Sequence, residues 1–238
     1  MREVLAYFEE REAEFGRHLS VARLLEARVD DVVGEEDGQV EIRHINTLKS
    51  GLLIHLYNIV EAVSTRTMEV VGRTIVTEKP KLWTENVLRE WVRAAIWDGE
   101  ERLGEVAVIR LASISNVLAS GNPPAAFVVK GEPGSWDDAA IKKVAKRLDC
   151  PLTLSRAIRR AAFEPAYLNE MTAMKYLASR RNAIAHGATT FEDGARDHTL
   201  AEIAELAGRV FPFLKAVAES YELFLDTKGF LVPQENAA

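Results

Sequence analysis

Residues 167–187 read Tyr-Leu-Asn-Glu-Met-Thr-Ala-Met-Lys-Tyr-Leu-Ala-Ser-Arg-Arg-Asn-Ala-Ile-Ala-His-Gly. Leu168, Met171, Met174, Leu177, Ala178 and Ile184 recur mainly at three- and four-residue steps, which predicts a helix that begins near Tyr167. Gly187 supplies a stop of the kind helices use just past their last turn. That last turn carries Arg180, Arg181, Asn182 and His186. A cation, an amide and an imidazole also suit a capped helix C-terminus, where they complement the dipole and the unpaired carbonyls. At about 100° per residue, Arg181 and His186 lie roughly 140° apart around the helix, whereas Asn182 and His186 share a face. One helix therefore does not converge the arginine and the histidine.

Arg181 and His186, with Asn182 following the arginine and Gly187 following the histidine, resemble the Arg-x4-His signature of the HEPN superfamily. None of the other four histidines has an arginine at that spacing. The resemblance implies an all-α antiparallel bundle and two such helices paired in a homodimer. It also implies metal-independent RNA cleavage, in which a ribose 2′-hydroxyl attacks the adjacent phosphorus. An imidazole near pKa 6.5 exchanges protons at neutral pH, and a guanidinium neutralises phosphate charge in fixed geometry. The expected roles are His186 as acid or base, Arg181 as phosphate stabiliser, and Asn182 as positioning donor or orienter of the histidine. Members of the superfamily often act as toxins or phage-defence effectors held by an antitoxin or another partner, and the same is expected here. The alternative is a non-catalytic module of the same type that binds a nucleotide, RNA or a protein.

Working outward, the most apolar stretch runs from about Asn46 to Val76 and is expected to be the central helix. Between Leu52 and Val63 only His55, Asn58 and Glu61 are strongly polar, and they form one slanting stripe. Burial of unpaired polar groups is costly, so this stripe must face a polar partner, a cleft or a subunit interface, or belong to a satisfied buried network. Tyr57, Asn58 and Glu61 are also similar to the polar residues that the early helix of HEPN proteins turns toward the arginine and histidine.

A first amphipathic helix is predicted from about residue 3 to 33, ended by Gly34–Gly38. Shorter helices are expected after Thr84 and over Val106–Leu118, with Trp83, Trp91 and Trp97 as core or interface anchors. Gly121–Gly134 reads as a loop or one short strand at Phe127–Val129. Ser135 with Asp138 predicts the cap of a basic helix to Leu148, and Ser155 that of another containing Ile158 and Phe163. Ala188–Asp197 should be a surface loop beside His186. A last helix spans Thr199–Asp226, bent or interrupted at Pro212. The whole, 1–238, reads as a single helical domain with an acidic N-terminal helix and loop over about 1–45. A small basic helical segment is inserted over about 121–165.

Charge is uneven along the chain. Residues 1–41 hold 12 acids against 5 bases, net −7, and residues 141–163 hold 7 bases against one acid, net +6. Any RNA-binding surface is therefore sought at Lys142, Lys143, Lys146, Arg147, Arg156, Arg159 and Arg160, with Arg180; the competing reading is a solvated face. The overall net charge of −6 argues against a protein that coats nucleic acid indiscriminately. A single cysteine, Cys150, excludes an internal disulfide. The N-terminus lacks the apolar core of a signal peptide, and no apolar run approaches a membrane span. These features point to the cytoplasm. Cysteine and histidine spacing predicts no zinc site, and no phosphate-binding glycine loop is present, so no metal or cofactor is expected.

Overall fold

The computed structural model describes residues 1–29, 41–96, 104–129 and 136–233. Eight α-helices lie within them: α1 (Arg2–Val29), α2 (Ile42–Ile75), α3 (Glu85–Ile96), α4 (Glu105–Ser120), α5 (Asp138–Leu148), α6 (Arg156–Phe163), α7 (Ala173–Ala185) and α8 (Leu200–Asp226). There is no β-strand among the described residues, only isolated bridges between Trp83 and Leu231 and between Tyr167 and Met171. Among the described residues no helix is long and apolar enough to cross a membrane.

The long helices α1, α2 and α8 pack against one another. Helix α2 buries residues around most of its girth, including Leu53, Leu56, Val60, Val71 and Ile75, as its composition demands. Phe8 and Phe15 from α1 meet Phe211 from α8 edge-on, with centroids 5.8 and 5.5 Å apart. Helix α7 packs on α2, α6 and α8. Helix α5 contributes Ile141, Val144, Ala145 and Leu148 to the same buried cluster as the long helices. Helix α4 is different: it rests on α3, buries Ala107 and Ile114, and leaves Val106, Val108, Ile109 and Leu118 exposed.

Local chemistry sets most boundaries. Thr84 accepts from the Val87 N–H at 3.4 Å at the start of α3. Ser155 accepts from the Ile158 N–H at 3.2 Å at the start of α6. Thr199 and Glu202 form a reciprocal capping box on α8. Gly121 ends α4 in the left-handed region, at φ 66°.

Several expectations are corrected. The helix bearing the signature starts at Ala173, not near Tyr167, because Asn169 and Glu170 sit at φ 58° and 55° and break the periodic pattern. The cap of α5 is Asp137, whose Oδ1 accepts from the Ala140 N–H at 2.7 Å; Ser135 lies outside the described residues. Of the two readings of Phe127–Val129, strand or loop, the loop is the one found. It is an extended segment that buries Phe127 and Val129 and exposes Val128. Gly72 admits that segment, since an added Cβ would stand 2.1 Å from the Phe127 carbonyl oxygen. Helix α8 runs through Pro212 without interruption. Pro212 and Gly208 are both exposed, so the carbonyl left without an intrahelical donor faces solvent. Gly34–Gly38 and Trp97 lie outside the described residues.

Candidate functional site at the end of helix α7

Thr172 begins α7 by accepting from the Lys175 N–H at 3.3 Å, and Met174, Leu177, Ala178 and Ile184 bury one side of the helix. The consecutive arginines Arg180 and Arg181 project about 100° apart and so reach different neighbours.

Arg181 turns to α2. Its guanidinium carbon lies 4.0 Å above the centroid of the buried Tyr57 ring. Nη2 lies 3.3 Å from Glu61 Oε2, and Nη1 donates to Asn182 Oδ1 at 2.9 Å. The Tyr57 hydroxyl accepts from the Trp136 N–H at 3.2 Å, which pins the ring beneath the cation. The Arg181 side chain is about 20% exposed and its Nε is buried without a hydrogen-bond partner. Stacking and two edge contacts thus fix the plane of a guanidinium that still reaches the surface. Glu61 is the more exposed member of the pair, so solvent and salt screen its hold on Arg181.

His186 caps the same helix. Its N–H donates to the Asn182 carbonyl at 3.0 Å, and Gly187 follows at φ 71°. The imidazole is exposed and has no hydrogen-bond or ion-pair partner among the described residues. Arg181 and His186 are not in contact in one chain: the first is held inward against α2 and the second stands at the open helix end. Asn182 joins them only indirectly, since its side chain serves Arg181 and its backbone carbonyl serves His186.

The polar stripe on α2 divides, correcting the expectation of a single partner. Glu61 meets Arg181, while Asn58 is exposed. His55 turns away to α1, toward His18 and Glu14. The reason is that steps of three residues drift around the helix, so seven residues of stripe address two neighbouring helices.

Arg180 turns the other way and is engaged within the chain. Its Nε donates to the Tyr176 hydroxyl at 2.7 Å, its Nη1 lies 3.5 Å from the Gly194 carbonyl, and its Nη2 pairs with Asp197. The Tyr176 hydroxyl also faces His198 Nε2 at 2.5 Å, and Tyr167 stacks on Tyr176 at 5.0 Å. Burial pushes the Tyr176 hydroxyl up, and burial, joined by the charges of Arg180 and Lys49, holds His198 below the ordinary imidazole range. This cluster clamps residues 194–198 onto α7 beside His186. The i,i+4 pair Tyr176–Arg180 was legible in the sequence, but Asp197 and His198 carried no signal there.

The basic segment is only partly a surface. Arg147 is turned inward to Glu90, which is 1% exposed, at 3.1 Å. Lys142 lies 3.3 Å from Asp138 and 3.6 Å from the Phe163 ring centroid. Lys143 is exposed, and Lys146, Arg156, Arg159 and Arg160 are exposed without an ion-pair partner among the described residues. The Thr172 hydroxyl donates to Asp138 Oδ1 at 2.6 Å and so sets the start of α5 at the N-terminus of α7. The length of α7, roughly 20 Å, therefore separates that start from His186. Two open grooves of about 700 and 730 Å³ lie elsewhere and are lined by neither Arg181 nor His186.

No protein-family model, no curated protein and no solved structure matches this chain.

Proposed function

We propose that the chain is an endoribonuclease of the HEPN type that works without a metal, acting as a toxin or phage-defence effector held by a partner. The observation that carries the reading is the unequal preparation of the two signature residues. Arg181 is oriented in advance by Tyr57, Glu61 and Asn182, while His186 is left exposed and unengaged at the helix end. In the proposed reaction two copies approach so that Arg181 and His186 address one phosphodiester. A basic His186 takes the proton of the ribose 2′-hydroxyl, whose oxygen forms a bond to phosphorus. The bond from phosphorus to the 5′-oxygen breaks, and that oxygen receives a proton from an acid, the partner's His186 or water. The products are a 2′,3′-cyclic phosphate and a 5′-hydroxyl end. Arg181 neutralises the charge that builds on the non-bridging oxygens.

The ion pair with Glu61 favours a second reading, a non-catalytic module in which Arg181 and His186 bind a nucleotide, RNA or a protein. The two readings separate in one assay. Purified full-length chain is incubated with RNA in EDTA, beside Arg181→Ala and His186→Ala, with circular dichroism to check folding. Cleavage by wild type that both changes abolish supports the nuclease. Binding without turnover supports the module, and equal cleavage by all three chains rules the nuclease out.

A further inference from the structure

His18 on α1 and His55 on α2 are 37 residues apart in sequence, and the fold sets their Nδ1 atoms 3.2 Å apart. Their ring centroids are separated by 4.9 Å, with the planes tilted by 46°. Glu14, one turn before His18, places Oε2 3.7 Å from His55 Nε2, on the far side of that ring. Arg11 holds the same carboxylate oxygen at 2.5 Å. Phe15 lies against His55 at 5.8 Å. His55 is half-buried, His18 is exposed, and a groove of about 320 Å³ opens beside the pair toward Phe191.

The separation suits a shared ion. With zinc–nitrogen bonds of roughly 2.0–2.1 Å, two imidazoles on one ion bring their nitrogens to about 2.9 Å at a right angle and about 3.4 Å at the tetrahedral angle. The observed 3.2 Å falls between the two. The Glu14 carboxylate is too far from His55 Nε2 for a hydrogen bond, but its charge on that side of the ring favours the tautomer with the proton on Nε2 and the Nδ1 lone pair free. His18 is then the ring that donates across the pair. It frees its own Nδ1 by shifting that proton to Nε2 on the exposed ring.

We propose that His18 and His55 form a two-histidine chelate between α1 and α2 for a borderline divalent transition ion of the zinc, nickel or copper class. Water fills the remaining positions, because no group of three or more metal-ligating side chains converges among the described residues. Hard cations such as magnesium find no set of oxygen ligands there. The ion would clamp the acidic α1 to the central helix. It is independent of Arg181 and His186 and rests on no reading of their chemistry.

Calorimetric titration of the metal-free full chain with Zn²⁺ alone, and separately with Ni²⁺ alone, tests this. The expected result is one ion per chain, bound at least roughly tenfold more weakly by His18→Gln and by His55→Gln. Mg²⁺ gives no heat. Thermal melts in EDTA check that the variants fold, and the exposed His18 keeps the test valid should His55→Gln fail to fold. Cu²⁺ electron paramagnetic resonance should show two imidazole nitrogens in wild type and one in each histidine variant. Unchanged Zn²⁺ affinity in His18→Gln, one ion per two chains, or no uptake by wild type overturns the proposal.

Discussion

Arg181 draws its specificity from shape as well as charge. A lysine there keeps the cation but loses the flat stack on Tyr57 and the second edge that reaches Asn182. If the chain cleaves RNA as proposed, Arg181→Lys should therefore reduce cleavage nearly as much as Arg181→Ala while leaving the melting temperature close to wild type. Steady-state cleavage rates beside thermal melts decide it, and full activity in the lysine variant would contradict the role given to the guanidinium plane. Gly194 shows how tightly the neighbouring loop is seated. An added Cβ would stand 2.5 Å from Ile184 Cγ1 and 2.9 Å from Ser50 Oγ. Gly194→Ala should cost about 1–3 kcal/mol through overpacking, read by urea denaturation. Glu90 is buried between Arg93 at 2.5 Å and Arg147 at 3.1 Å. Its removal leaves Arg147 buried with less of its compensating charge, and Glu90→Ala should destabilise by about 3–5 kcal/mol.

At the scale of elements, α7 is held at both ends by different means. Its start depends on Thr172, which caps the helix and donates to the buried Asp138 of α5. Its later turns depend on Arg180, through Tyr176, His198 and Asp197. The second anchor titrates. His198 is half-buried, with Tyr176 and Arg180 facing it from α7, Asp197 beside it, Glu202 from α8 and Lys49 from α2. Its folded pKa lies below the unfolded value, so the unfolded chain binds the proton more readily. Stability that is complete above about pH 6.5 is then lost as pH falls toward the folded pKa. His55 is shifted in the same direction and adds to the effect. The urea midpoint should drop between about pH 7.5 and pH 5.5, and His198→Gln should flatten part of that slope. A midpoint that rises on acidification would contradict the assignment.

For the whole molecule, the separation of Arg181 from His186 within one chain makes assembly the decisive question. If two copies share one cleft, a mixture of Arg181→Ala and His186→Ala chains contains heterodimers that keep one intact arginine and one intact histidine. Mixing the two inactive variants should then restore part of the cleavage, in proportion to the heterodimer measured by analytical ultracentrifugation. No recovery despite confirmed heterodimers would place the chemistry within a single chain or exclude it.

The sequence by itself determined the helical class, the central position of α2, the caps at Thr84 and Ser155, and the stop at Gly187, because these depend on local periodicity and on side chains reaching their own backbone. It also singled out Arg181 and His186 through a resemblance in a short motif. Tertiary structure decided which of two adjacent arginines meets Tyr57 and Glu61 and which is tied to Asp197, since a rotation of about 100° is visible in one dimension but the neighbours it finds are not. It likewise decided that Arg147 is inward and that His55 faces His18 rather than the signature helix. Those outcomes depend on which helices lie side by side, and that follows from how the whole set of apolar faces is buried together.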